Sequence, residues 1–279
     1  MGKKSLLFAA LLAMLGVCLI LWPVLHGSRL QSQAADAAQS FLAQQAEAPQ
    51  YPELLAALQE YNRQIYAEKQ SGLVDLAACQ APAADLTAYG IADEVFGVLE
   101  IPAMDLTMPI YLGASDEHLA AGAAVLGQTS VPIGGDSTNA VIAGHRGWQG
   151  ADYFRYIDLL QVGDEVTVTN LWEKMTYTVT EISIIQPHEV EKIRIQPNRD
   201  LLTLLTCHPY ASGGRQRYVV VCERTTRLRR KYHEKSDLHH FGRGCRHGIY
   251  RFQTLSPTRP QRNLKIFSKN GALLISFYG

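Results

Sequence analysis

A mainly β fold is predicted: a closed or nearly closed barrel of short strands, preceded by a helical region and one apolar N-terminal helix. Three observations predict it. Leu6 to Leu25 is a run of twenty residues without a charge. The following segment, to about residue 70, is rich in Ala, Gln, Glu and Leu, with Leu54, Leu58, Tyr61 and Ile65 recurring at helical spacing. From Val95 to about Glu223 the sequence breaks into short branched and aromatic runs separated by turn residues. At 279 residues and 47% hydrophobic, the chain has material for one sizeable core plus accessory segments.

A helix over the apolar run spans roughly 30 Å, enough for the hydrocarbon core of a bilayer. Lys3 and Lys4 precede it, so the positive-inside tendency assigns residues 1–5 to the cytoplasm, 6–26 to a single-pass anchor and the rest to the outside of the cell membrane. A cleaved signal peptide is the competing reading. The uncleaved anchor is favoured because the run exceeds a normal signal core and no small-x-small site follows it.

Residues 27–70 are expected to form helices, either a membrane-proximal stalk or a pair packed on the main domain. Residues 71–90 (SGLVDLAACQAPAADLTAYG) carry neither period and read as a loop. A loop of that length is uncommon unless functional, so a lid or arm is expected. Residues 91–224 hold seven or eight strands: VFGVLEI, LTMPIYL, NAVIAGH, EVTVTN, MTYTVTEISII, LLTLLTC and RYVVVCE, with a helix-like insert near Ser115 to Leu126. That pattern suggests a barrel rather than an open α/β sheet. Residues 225–279 open with a basic run, RLRRKYHEK, and are expected to be a solvated, disordered tail.

The 26 basic and 26 acidic residues cancel, which gives no electrostatic case for nucleic acid as a partner. Five cysteines, at 18, 79, 207, 222 and 245, make neither a disulfide framework nor a C-x-x-C pair, and the nine histidines form no ligand set. No cofactor or metal is expected.

Cys207 ends an apolar run, and His208, Pro209 and Tyr210 follow at once, so the thiol stands at the exit of a buried strand facing loops. Alone, a free cysteine is more often a small buried hydrophobe. Arg217 begins the next strand after a nine-residue, Gly-rich connection. A hairpin brings it beside Cys207, where a guanidinium is a fixed positive charge able to donate to an oxyanion. Arg215 is the rival in the same loop. Cys222 lies five residues along that second strand, too far for a bridge to Cys207, and reads as core. His145 ends another apolar strand and precedes a Gly turn; its imidazole can protonate an amine leaving group. His208, next to Cys207 in the chain, is expected to point away from it.

TLLTCHPY followed by RYVVV, the string NAVIAGHRG, and the PIYLGAS and TSVPIGG strings that precede it resemble sortases, and most closely those of class C, which polymerise pilins. The likeness runs from about Tyr61 to Arg224. It implies an eight-stranded sortase-type β-barrel, Cys207 as nucleophile, His145 as general acid and base, and Arg217 as the oxyanion and orienting residue. It further implies cleavage of a Leu-Pro-x-Thr-Gly-like sorting signal on pilins or surface proteins, a thioester, and transfer to an amine. That amine is expected to be a pilin lysine; a cell-wall precursor amine is the alternative acceptor.

Two departures accompany the likeness. Class C lids carry an Asp followed closely by an aromatic; here Asp75, Leu76 and Ala77 stand at that motif, so Asp75 is expected to pair with Arg217 under a lid without its aromatic plug. Where class C members often carry a second apolar anchor, this chain has the basic tail. The competing functions are a sortase of another class that anchors single proteins to peptidoglycan, a cysteine peptidase, and an inactive pilus-associated binding module. The peptidase is disfavoured because those folds put the cysteine at a helix start.

Overall fold

The computed structural model describes residues 3–45, 51–74, 80–225, 266–269 and 272–275. A first helix, α1 (Lys3–Gln45), runs unbroken through the expected boundary at residue 26. By length and composition it is able to cross a membrane. The segments expected as anchor and stalk are therefore one helix, because nothing between Pro23 and Ala34 terminates it. Its first part exposes Phe8, Leu11, Leu12, Met14 and Trp22. From Gly27 onward, Leu30, Ala34, Ala38 and Phe41 turn one stripe toward the barrel at spacings of three and four residues. The stalk is thus packed on the main domain along its length, not held off it as a spacer.

Backbone meets backbone where α1 reaches the domain. A Cβ on Gly27 would lie 2.1 Å from the Gly150 carbonyl carbon, so only glycine fits there. His26 Nε2 and Gln149 Oε1 are 2.7 Å apart at the same contact. The second helix, α2 (Pro52–Ala67), buries Leu54, Leu58, Asn62 and Ile65. Asn62 takes the place on the buried face that its polarity would deny it, because it pairs with the backbone of Val131.

Ten strands lie between residues 91 and 224: β1 (Val95–Ile101), β2 (Leu106–Leu112), β3 (Ala123–Val125), β4 (Thr138–Ala143), β5 (Arg146–Trp148), β6 (Ala151–Tyr153), β7 (Glu165–Asn170), β8 (Lys174–Ile185), β9 (Asp200–His208) and β10 (Gln216–Arg224). Eight of them close a barrel in the order β1-β2-β3-β4-β9-β10-β8-β7, with β7 returning to β1. All seven strand runs expected from the sequence are present. The helix-like insert is shorter than expected: α3 (Asp116–Ala121) ends at Gly122, and Ala123–Val125 is a barrel strand. Three residues are too few to show a period of two, and β3 is held by its neighbours, parallel to β2 and antiparallel to β4.

The barrel is filled by Leu99, Met108, Ile110, Ile142, Val168, Met175, Tyr177, Leu202, Leu204 and Val220. A second cluster covers its outer face, where Leu201, Leu205, Val219 and Val221 meet Ala38 and Phe41 of α1, Leu73, and Ile193. β9 is buried on both faces, which is why its sequence is a continuous apolar run instead of an alternating one.

In the tail expected to lack structure, the described residues form two four-residue strands, β11 (Ile266–Lys269) and β12 (Ala272–Ile275), paired antiparallel in a unit of their own.

Candidate functional site

β4 and β9 run parallel, and their last paired residues are Ala143 and Leu205. His145 and Cys207 each lie two residues beyond that pair, so one register brings both to the same end of the barrel. Gly144 N donates to Leu205 O at 3.1 Å and Thr206 Oγ1 donates to Gly144 O at 2.6 Å, extending the tie between the strands. The β9–β10 hairpin then sets Arg217 directly opposite Cys207. All three side chains line one cavity of about 200 Å³, together with Gln80, Asp116, Leu119 and Thr206. A larger cavity of about 510 Å³ lies between the end of α1 and β1, walled by Phe41, Tyr51, Ile91 and Leu171 and holding none of the reactive groups.

His145 is fixed from two sides. A Cβ at Gly144 would lie 2.9 Å from the Phe154 ring, so the chain passes close over Phe154, whose N–H donates to His145 O at 2.9 Å. The imidazole stacks on Trp148, centroids 4.3 Å apart and planes within 10°. Trp148 is held in the β5–β6 hairpin, whose turn residues Gln149 and Gly150 both have positive φ, as a tight primed turn requires. Burial holds the His145 pKa below the usual imidazole value, and the Asp116 carboxylate acts in the opposite sense.

Cys207 is a half-buried free thiol. Gly214, at φ +76°, closes in on it: a Cβ there would lie 3.1 Å from the sulfur and 3.0 Å from Arg217 Nη1. Arg217 Nη1 donates to Gly214 O at 2.5 Å and to Gln216 O at 3.1 Å. Arg215 is exposed and does not line the cavity. Cys222 is fully buried opposite Leu202, and burial pushes its thiol well above the ordinary range.

Asp75, with Leu76 and Ala77, lies outside the described residues. The described remainder of the 71–90 loop does reach the site: Gln80 lines the cavity, and Gln80 O and Pro82 lie 2.6 Å and 2.8 Å from where a Gly113 Cβ would stand. Sequence reasoning missed Gln80, Asp116, Trp148 and Gly214. Trp148 was within reach, three residues after His145 in GHRGW, but an aromatic in a turn carries no signature of what it stacks on. Among the described residues no group of three or more His, Cys, Asp or Glu is arranged to hold a metal ion.

The arrangement joins a sulfur nucleophile, an imidazole able to exchange a proton, and a guanidinium beside the sulfur where a carbonyl oxygen would gather charge. Residues 99–225 match the sortase domain family. Sortase A of Streptococcus agalactiae serotype III (strain NEM316) is 32% identical over 116 residues, 40% of this chain and 47% of that protein, so the matched region spans about half the relative's length. Sortase C1 of GBS Pilus Island 1 superposes with a TM-score of 0.60 at 30% identity, covering 68% of this chain and 98% of that one. Sortase C-1 from Streptococcus pneumoniae does so at 0.59 and 30%, covering 68% and 97%. Domain match and nearly whole-length structural relatives agree, and this chain belongs to the sortase family.

Proposed function

We propose that the chain is a membrane-anchored cysteine transpeptidase in which Cys207, His145 and Arg217 do the chemistry. The observation that carries this is the double register: Ala143 against Leu205 and Arg217 against Cys207 put three groups of the required kinds on one cavity. The Cys207 sulfur attacks the threonyl carbonyl of a Leu-Pro-x-Thr-Gly-like sorting signal, and Arg217 donates to the oxyanion. As the intermediate collapses, the C–N bond breaks, His145 gives a proton to the departing glycyl amine, and an acyl thioester remains. An incoming amine attacks that thioester, His145 takes its proton, and the new amide releases the Cys207 sulfur.

The acceptor is a pilin lysine, and the product a covalent pilus. Two observations favour this over attachment of single proteins to peptidoglycan: the structural relatives named above include a pilus-island sortase, and the 71–90 loop reaches the cavity through Gln80. Asp75 then acts from that loop as a lid residue on Arg217. The Lys3 and Lys4 side of α1 stays in the cytoplasm and the barrel stands outside the cell, tied to the membrane by the apolar half of α1.

The test is to incubate the full chain in detergent with a panel of sorting peptides and either a pilin-lysine or a lipid-II-like amine, following adducts by mass spectrometry beside Cys207→Ala. A Cys207 thioester resolved preferentially by the lysine is expected. Hydrolysis without aminolysis would make the chain a peptidase, and peptide binding without an adduct would make it an inactive binding module.

A further inference from the structure

Behind the cavity floor a second pair of residues repeats the His145 and Cys207 pairing one position along. Arg146 follows His145, and His208 follows Cys207; neither lines the cavity. Successive residues of an extended chain project to opposite sides, so this pair faces inward when the reactive pair faces out. Arg146 Nη1 lies 2.7 Å from His208 Nδ1, and its Nη2 lies 3.4 Å from Asp158 Oδ1. Its guanidinium carbon sits 5.4 Å from the centroid of the Tyr218 ring, which in turn is 5.7 Å from the His208 ring. The Arg146 side chain is only 8% exposed.

Guanidinium donates and never accepts, so His208 Nδ1 is the acceptor and that ring carries its proton on Nε2. A second contact joins the same segments. The Tyr210 ring packs so closely on Gly147 that a Cβ there would lie 3.0 Å from it, and Arg155, beyond β6, stands 5.0 Å over the same ring. The β4–β5 segment that bears His145 and the end of β9 with its following loop, which carry Cys207 and Tyr210, are thus held at two points.

We infer that Arg146 is a positioning residue: through His208 and Asp158 it fixes the spacing of His145 from Cys207, and it takes no part in proton transfer. A burial so deep suits this purpose better than stability. Arg146 Nε finds no acceptor among the described residues, and a buried ion with an unmatched donor is a poor way to stabilise a core. A spacing fixed to a fraction of an ångström is what a sulfur and an imidazole acting on the carbonyl and the amine of one scissile bond need, since misplacement by about 1 Å can cost on the order of 100-fold in rate.

The inference rests on the proposed roles of Cys207 and His145, and two measurements separate its failure from theirs. The first is kinetic, on the full chain. Arg146→Met is expected to fold with an unchanged or raised melting temperature and to lose roughly 10- to 100-fold in kcat for thioester formation with little change in KM. His208→Leu should fall with it. His208→Asn, whose side-chain oxygen can accept from Arg146 where Nδ1 did, should stay within about threefold of wild type. Wild-type kcat in Arg146→Met overturns the inference. So does a His208→Asn variant as impaired as His208→Leu, which would make His208 a proton donor in its own right.

The second measurement needs no substrate. In ¹³C-histidine-labelled protein, the His145 ring signal, set by the ring current of Trp148, should move in His208→Leu and keep its place in His208→Asn. An unmoved signal in His208→Leu would show that nothing passes from His208 to His145, and would end the inference whatever the activity assay gives.

Discussion

Arg217 and Cys207 form a directly opposed pair in the β9–β10 ladder, and Arg217 Nη1 turns to its own loop to hold the carbonyls of Gly214 and Gln216. The same contacts that aim Arg217 at the cavity also shape the loop around the thiol. Arg217→Ala is expected to lower kcat for thioester formation by about 100- to 1000-fold, the usual loss for an oxyanion donor. Arg217→Lys should recover little of it, because the guanidinium holds both loop carbonyls through Nη1 and keeps its other nitrogens for an oxyanion, which one ammonium nitrogen cannot do from a single point. Arg215→Ala, an exposed position, should stay near wild type. Single-turnover thioester formation measures all three, and an Arg215→Ala loss equal to that of Arg217→Ala would transfer the role to Arg215.

This hairpin shows how far the sequence was legible. The run LLTLLTC, the turn residues after it and the RYVVV run dictate two strands and a connection, and antiparallel pairing then puts Arg217 beside Cys207 by counting alone. The approach of His145 was legible only as a strand end, since nothing local says that β4 and β9 are parallel neighbours; that follows from barrel closure. β3 was illegible for the same reason: three small residues acquire strand geometry only from the strands on either side. The continuous α1 went unseen because a change in composition at residue 26 marks a change of surroundings, from an exposed apolar stretch to a face packed on the barrel, and not an end of the helix.

Gly214 separates two effects that a loop glycine usually mixes. Gly213 and Gly214 both have positive φ, so alanine at either carries a similar backbone penalty of about 1 kcal/mol. Only at Gly214 does the added Cβ press on the Cys207 sulfur and Arg217; at Gly213 it meets open space. Gly214→Ala is therefore expected to slow both alkylation of Cys207 and thioester formation at least tenfold, and Gly213→Ala to leave both within about twofold. Equal losses in the two variants, followed by iodoacetamide labelling and peptide kinetics, would reduce the effect to backbone strain.

His145 gives a pH dependence with a definite sign. Burial holds its folded-state pKa below the unfolded value, so between the two the unfolded chain binds more protons and this residue's contribution to stability is lost as pH falls through that window. Asp116 is the opposing influence, raising the pKa by its negative charge. Asp116→Asn should accordingly move the His145 titration to lower pH, and with it the alkaline limb of kcat/KM wherever a protonated His145 gives up its proton to the leaving amine. An NMR titration of the imidazole reads the first shift directly. A movement to higher pH in Asp116→Asn would mean that the carboxylate does not face the ring as a charge.

Far from the cavity, Asn62 tests how α2 is attached. Its Nδ2 donates to Val131 O at 3.1 Å and its Oδ1 accepts from Val131 N at 2.8 Å, in a position only 6% exposed. One amide thereby meets both backbone polar groups of Val131, and it alone satisfies the Val131 N–H, which no apolar residue on that helix face can do. Asn62→Ala strands Val131 N, while Val131 O keeps the Ile133 N–H at 2.8 Å, and is expected to cost about 1–3 kcal/mol, a fall in melting temperature of roughly 3–10 °C. Arg63→Ala, one residue on, removes only an exposed contact with Glu60 and should leave the melting temperature unchanged. Because α2 contributes nothing to the cavity walls, Asn62→Ala should keep wild-type kcat well below its melting point. A loss of kcat at low temperature would instead show that the α2 attachment and the Cys207 site are mechanically coupled, through the Val131 segment that leads into β4.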